Sequence, residues 1–290
     1  MHTAPRPPPY YSACSGLGVY CRGGGTARRL LASVEGVVTS RINSGDIPPE
    51  VVERSIESFG RRPVVRGMLC SGGSTIPVSC LMDAIKVNPI GVRNSIGADG
   101  AVLSMIADRL FKDAAASAEA KGITPAFGTA CEWLDELGAY VCGEPDLLLY
   151  KGGGLLGVVE HKVALTFGEY GGTVRRGLVQ ALMYAWLFRD YYVGPVDWVW
   201  VFVVVTRYST SRVGARGRVA SFCVRVGDGV RGLIVDAYRA LRGGGVVEVD
   251  DCRLASLLGG LCINGRVAFP AGAVADGLNL AFRGWRLVEG

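Results

Sequence analysis

Histidine, glutamine and lysine are all scarce in this sequence of 290 residues. The histidines are His2 and His161, and Gln180 is the only glutamine. Long apolar runs are missing too. Residues 198–205 are too few to cross a bilayer, and Arg189 and Asp190 interrupt the apolar region before them. That excludes a membrane-spanning helix, and no membrane partner is expected. The opening, MHTAPRPPPYY, has no apolar h-region, so no secretory signal is expected there. The compartment is therefore read as cytoplasmic and reducing. In that setting the nine cysteines, at positions 14, 21, 70, 80, 131, 142, 223, 252 and 262, read as thiols or metal ligands before a disulfide framework. No internal repeat with a period of about 20–50 residues is found, which excludes a solenoid.

What the chain has is apolar bulk. Hydrophobic residues make up 49% of it, enough at this length to bury a sizeable core. The formal charge of +5 comes almost entirely from arginine, a mild basic excess that suits a nucleic-acid partner without demanding one.

The pattern divides the chain into three stretches. Residues 1–74 read as an N-terminal extension. Residues 1–27 are Pro-rich and then Gly-rich, and 28–41 and 48–59 have helical character. Residues 75–247 read as the core. Helical spacing is expected over 75–87, with Ser79 as N-cap, over 94–119, with Val102, Met105, Ile106, Leu110 and Phe111 on the apolar side, and over 127–137. A β-hairpin follows, then a helix over 175–192. Residues 196–206 make a strand buried on both faces, and 219–226 its hairpin partner. Between those strands Arg207, Arg212, Arg216 and Arg218 fall in a Gly/Ser-rich loop that could track a phosphate backbone. A helix covers 229–242. Residues 248–290 hold two cysteines and are expected to pack back on the core. The order of helix, hairpin, helix and two strands gives an α/β fold, a mixed central β-sheet flanked by helices.

The hairpin over 143–162 organises the rest. Residues 146–150 form an apolar strand with an acid at its start, the following glycines supply the positive φ that a tight turn requires, and 155–163 form the second strand. This strand is apolar through Val159 and then carries Glu160, His161 and Lys162. Charges at the end of a buried strand cost free energy unless they are paired or bound to metal. Asp146 and Glu160 lie on adjacent strands, where two carboxylates repel each other and a divalent cation relieves them. Lys162, two residues after Glu160, shares its face, and His161 points to the other. Gly152–Gly154 joins two strands and opens no helix, so it is not a phosphate-binding loop.

Pro145-Asp146, thirteen intervening residues and then Glu160-His161-Lys162 resemble the PD-(D/E)XK nuclease superfamily. Gln180 and Tyr184, one helical turn apart, resemble the QxxxY motif of its RecB-like branch. The resemblance implies a restriction-endonuclease-like core and a metal-dependent DNA exonuclease acting on single-stranded DNA ends. Asp146, Glu160 and the backbone carbonyl of His161 would bind Mg²⁺ or Mn²⁺. Lys162 would position or deprotonate the attacking water, and Gln180 and Tyr184 would order the site and contact DNA. Cys80, Cys252 and Cys262 are similar in placement to cysteines of the CRISPR-associated RecB-like exonucleases, which implies an iron–sulfur cluster, partner proteins of CRISPR adaptation and a possible homo-oligomer. The alternative is that they are small buried hydrophobes.

The sequence departs from that family twice. Ala255 stands where the family has a cysteine, leaving Cys70 or Cys223 to supply a fourth cluster ligand. Ser104 stands where a metal-binding histidine is expected, leaving Asp108 or Asp99 to substitute. The first departure suits a RecB-like nuclease of repair, recombination or a mobile element. The second suits a catalytically weak DNA-binding scaffold.

Overall fold

The structure is a computed structural model that describes residues 23–70, 73–87, 98–120, 122–164, 170–191, 198–209, 214–264, 266–270, 281 and 286–288. Its helices are α1 (Gly24–Ser44), α2 (Pro49–Cys70), the single turn α3 (Val78–Leu81), α4 (Ala98–Ala116), α5 (Tyr170–Leu187), α6 (Asp228–Gly243) and α7 (Asp251–Leu257). Its strands are β1 (Thr75–Pro77), β2 (Ile85–Val87), β3 (Thr124–Ala126), β4 (Ala130–Leu134), β5 (Ala139–Gly143), β6 (Leu147–Lys151), β7 (Gly154–Ala164), β8 (Trp198–Ser209), β9 (Gly214–Arg225), β10 (Val247–Val249), β11 (Leu261–Ile263), β12 (Arg266–Pro270) and β13 (Arg286–Val288).

The main sheet is mixed, in the order β3-β6-β7-β8-β9. Strands β7 and β8 pair in parallel, and the other neighbours are antiparallel. A parallel pair needs a crossover between its strands, and α5 supplies it. Strand β8, rich in Val and aromatics, suits the central, doubly covered position it takes. Its alternate residues feed two separate cores. Val199, Val201, Val203 and Val205 pack with α5 and α6, while Trp200, Phe202 and Val204 pack with α1 and α4. The molecule is thus a mixed α/β fold with helices on both faces of the sheet.

The β6–β7 hairpin turns through Gly152 (φ 61°) and Gly153 (φ 86°), the left-handed conformations that a two-residue turn demands. A bulge follows. Tyr150 pairs with Leu155 but Leu149 with Gly157, which leaves Leu156 as the extra residue. The bulge resets the alternation of β7, so that Val158, Glu160, Lys162 and Ala164 share the α5 face with Leu155, and Val159 and His161 face α1 and α4.

Several expectations are corrected. Residues 130–134 form a strand rather than a helix, because they pair antiparallel with Ala139–Gly143 and bury Ala130 and Leu134. The helical reading of 75–87 gives way to β1, one turn of helix and β2, and that turn starts after Pro77 without a side-chain cap. Arg207, Arg216 and Arg218 lie on the paired strands β8 and β9, because the pairing runs out to Ser209 and Gly214; Arg212 lies outside the described residues. The stretch expected as an appendage contributes α1, whose Ala27, Leu30, Leu31, Val34 and Val38 belong to the second core. Within 248–290, Leu254, Ala255, Val267 and Phe269 belong to the first core. Arg175 of α5 reaches Asp251 (2.6 Å) and also donates to the carbonyl of Ala281. Among the described residues no helix is long and apolar enough to cross a membrane.

Candidate functional site

The hairpin register sets Leu147 opposite Val159, so the next pair outward is Asp146 and Glu160. Past Leu147, β6 no longer covers β7. The backbone N–H of His161 is left to donate to Asp146 Oδ2 (2.8 Å). The N–H and C=O of one strand residue point to the same edge, so the His161 carbonyl is aimed at the Asp146 side.

On the α5 face, Lys162 donates from Nζ to Glu160 Oε1 and to Gln180 Oε1 at 3.0 Å. Gln180 Nε2 in turn donates to Tyr184 Oη at 2.8 Å. Glu160, Lys162, Gln180 and Tyr184 therefore form one hydrogen-bonded row. Gly177 makes the row possible. A Cβ there would stand 2.7 Å from Val203 Cγ1 and 3.2 Å from Lys162 Cγ. Helix α5 thus lies close enough to the sheet for Gln180, three residues on, to reach Lys162.

The electrostatics follow from burial. Glu160 is 2% exposed. Its carboxyl is pushed up to about 8, burial outweighing the attraction of Lys162, while Asp146 adds repulsion. Asp146 is raised by burial and by Asp108, against the pull of Lys162 and His161. Burial works to lower Lys162, but Glu160 and Asp146 outweigh it and hold the ammonium charged. Lys112 Nζ stands 4.0 Å from Asp146 Oδ1 and 3.7 Å from Glu144 Oε1.

This donor set fits a hard divalent cation. Two neighbouring carboxyls, both raised, resist ionising together, and a cation would relieve their repulsion. Among the described residues, no three His, Cys, Asp or Glu side chains group as a metal cage by themselves.

Sequence reasoning missed the groups behind the strand. His161 Nδ1 lies 2.6 Å from Asp108 Oδ1, and its Nε2 lies 2.8 Å from Thr206 Oγ1. Thr206 Oγ1 donates to Glu35 Oε1 at 2.7 Å. The ring stacks on Phe111, with centroids 4.6 Å apart. The missed signal was an acid, Glu35, inside the apolar stripe of α1. Of the two acids that could replace the missing histidine, Asp108 lies at the site and Asp99 on the first turn of α4.

The cysteines lie in pairs. Cys80 is disulfide-bonded to Cys70, Cys252 to Cys262, and Cys131 to Cys142. The fold brings each pair within bridging reach, with Cα separations of 5.6, 5.1 and 4.1 Å in that order. Cys223 is disulfide-bonded too.

No family model matches the chain, and no curated protein matches it. Among solved structures it is similar to the crystal structure of SSO0001, at 12% identity over 69% of this chain and 87% of that one, with a TM-score of 0.39. So weak a likeness carries no argument about function.

Proposed function

We propose that the protein is a metal-dependent deoxyribonuclease of the RecB-like PD-(D/E)XK kind, working in the cytoplasm on single-stranded DNA ends. The observation that carries this reading is the unbroken row Glu160, Lys162, Gln180 and Tyr184, with Asp146 across the hairpin. Two acids, a lysine and a glutamine–tyrosine pair, far apart in sequence, meet at one strand end with their hydrogen bonds made.

Asp146, Glu160 and the carbonyl of His161 would hold Mg²⁺ or Mn²⁺, which would supply Lewis-acid chemistry at the scissile phosphate and at a water. Lys162 stabilises the negative charge that develops on the phosphate and orients that water. Gln180 fixes the Lys162 ammonium, and Tyr184 fixes Gln180. Asp108 stands in for the absent histidine at the edge of the site.

The pathway first implied is trimming of DNA ends in CRISPR adaptation, together with partner proteins of that process. Ala255, at a position where that family has a cluster cysteine, favours the second reading, a nuclease of repair, recombination or a mobile element. A brown protein with visible absorbance after anaerobic purification would return the balance to the cluster-bearing form.

The test is cleavage of end-labelled single-stranded DNA with Mg²⁺ and with Mn²⁺. Wild type should cut only with metal. Asp146→Ala should abolish cutting, and Lys162→Ala should slow it by about 10²–10⁴-fold. An inert wild type, or variants that cut as well as it does, would overturn the assignment.

A further inference from the structure

The sheet has a second polar cluster, on the face turned away from the proposed site. Glu35 of α1 is 2% exposed and Thr206 of β8 is 1% exposed, and the side chain of His161 is 0% exposed. A buried carboxylate is costly unless it is satisfied. Glu35 Oε1 is satisfied by Thr206. Its Oε2 has no hydrogen-bond partner and faces His161 Nε2 at 3.8 Å. The fold makes room for this acid. A Cβ on Gly217 would stand 2.0 Å from Glu35 Cγ, so only glycine fits where β9 passes α1.

The proton count fixes the direction of the row. Thr206 has one hydroxyl hydrogen and gives it to Glu35, so its oxygen must accept from His161 Nε2. His161 Nδ1 meets Asp108 on α4 and Nε2 meets Thr206, so the ring is tethered on both sides. The same residue's backbone N–H holds Asp146.

We propose that Glu35 and Thr206 are positioning residues: through the imidazole of His161 they lock the stretch of β7 that presents Asp146 and Glu160, and they hold Asp108 beside it. The assignment of a role in catalysis rests on the nuclease reading; the lock itself does not. A histidine tethered at both nitrogens is held in one orientation, and partners of this kind commonly set the geometry of the groups beyond them. Helix α1 is then part of the machinery.

The test uses the full chain, and it is simplified by the presence of only two histidines. With isotope-labelled histidine, and His2→Asn to assign signals, the two ring N–H resonances of His161 should be low-field and slow to exchange. Thr206→Val should remove the Nε2 signal, Thr206→Ser should restore it, and Glu35→Gln should shift it. Asn43→Ala is the control. It removes another tie between α1 and β9, because Asn43 Nδ2 donates to the Ala215 carbonyl at 3.1 Å, yet it should leave both ring signals in place. In the cleavage assay Thr206→Val and Glu35→Gln should lower kcat by about 10–100-fold with KM for DNA unchanged, and Thr206→Ser should recover it. Ring signals in Thr206→Val that match wild type, or an Asn43→Ala protein as impaired as the other two, would overturn the proposal. A wild type that cuts no DNA would sink the nuclease reading alone, since the ring signals still decide the lock.

Discussion

The two faces of β7 carry polar clusters of opposite character. On the α5 face Lys162 keeps 24% of its side chain exposed, and Asp146 at the strand edge keeps 22%. On the α1 face His161 and Glu35 are sealed, at 0% and 2%. Consecutive residues of one strand, Glu160, His161 and Lys162, serve both clusters because successive side chains point to opposite faces. On the α5 face Lys162 and Asp146 reach solvent while Glu160 is buried; on the α1 face His161, Glu35 and Thr206 are all buried, where low dielectric strengthens each contact.

The comparison is broken most directly by pH and metal together. The Glu160 carboxyl sits at about 8 in the fold against an ordinary 4.5. Between those values the folded protein keeps a proton that the unfolded chain has released, so stability falls as pH rises from about 4.5 to about 8 and then levels off. The loss is on the order of a few kcal/mol. Glu35 is also raised, by burial, against the opposing pull of His161 and Thr206, so it adds to the slope in the same direction. The two faces separate on adding Mn²⁺. Cation binding to the folded state should restore melting temperature above pH 7 through Glu160 and Asp146 and leave the Glu35 part unchanged. Glu160→Gln should flatten the metal-sensitive part of the slope, and Glu35→Gln only the rest. Equal flattening of the metal-sensitive part by both variants would show that the faces are not independent.

The two faces were unequally legible. The α5 face could be read because its groups have fixed spacing: an acid and a lysine two apart on a strand, and a glutamine and a tyrosine four apart on a helix. The α1 face joins positions 35, 108, 161 and 206, which no local period links. Its mark was Glu35 within an apolar helical stripe, and that has meaning only once Thr206 is seen opposite. The same limit explains residues 130–134, whose strand character comes from pairing with 139–143 rather than from alternation. The α/β class and the hairpin were legible because Gly152 and Gly153 lie between two apolar runs. The bulge at Leu156 was not, because it follows from the pairing and from Gly157 lying against Trp200, where a Cβ would come within 2.5 Å of the Trp200 carbonyl.

Spacing between α5 and the sheet offers a smaller perturbation. Gly177→Ala gains about 1 kcal/mol of helix propensity but drives a methyl into Val203, a stiff β-branched side chain that is fully buried. Overpacking of this kind costs about 1–3 kcal/mol, so a net destabilisation of about 1 kcal/mol is expected in urea unfolding. Activity should fall more than stability does, because α5 lifts Gln180 away from Lys162. The α1 face should not notice: the His161 ring signals should stay where they are. Movement of those signals would mean that the sheet transmits strain from one face to the other.

The finest probe is Tyr184→Phe. Tyr184 is 4% exposed, and its ring packs in the first core, so phenylalanine keeps the packing and removes only the hydroxyl. Gln180 Nε2 then loses its acceptor, which costs about 1 kcal/mol. Gln180 can rotate away from Lys162, and a loss of about fivefold in kcat corresponds to the same energy. KM for DNA should not change, because in this arrangement the hydroxyl orders Gln180 and does not touch substrate. The opposite pattern, a raised KM with stability intact, would place the hydroxyl against DNA. Tyr184 would then belong to the open side of the comparison as a binding group, and Lys162 would rely on Gln180 alone for its position.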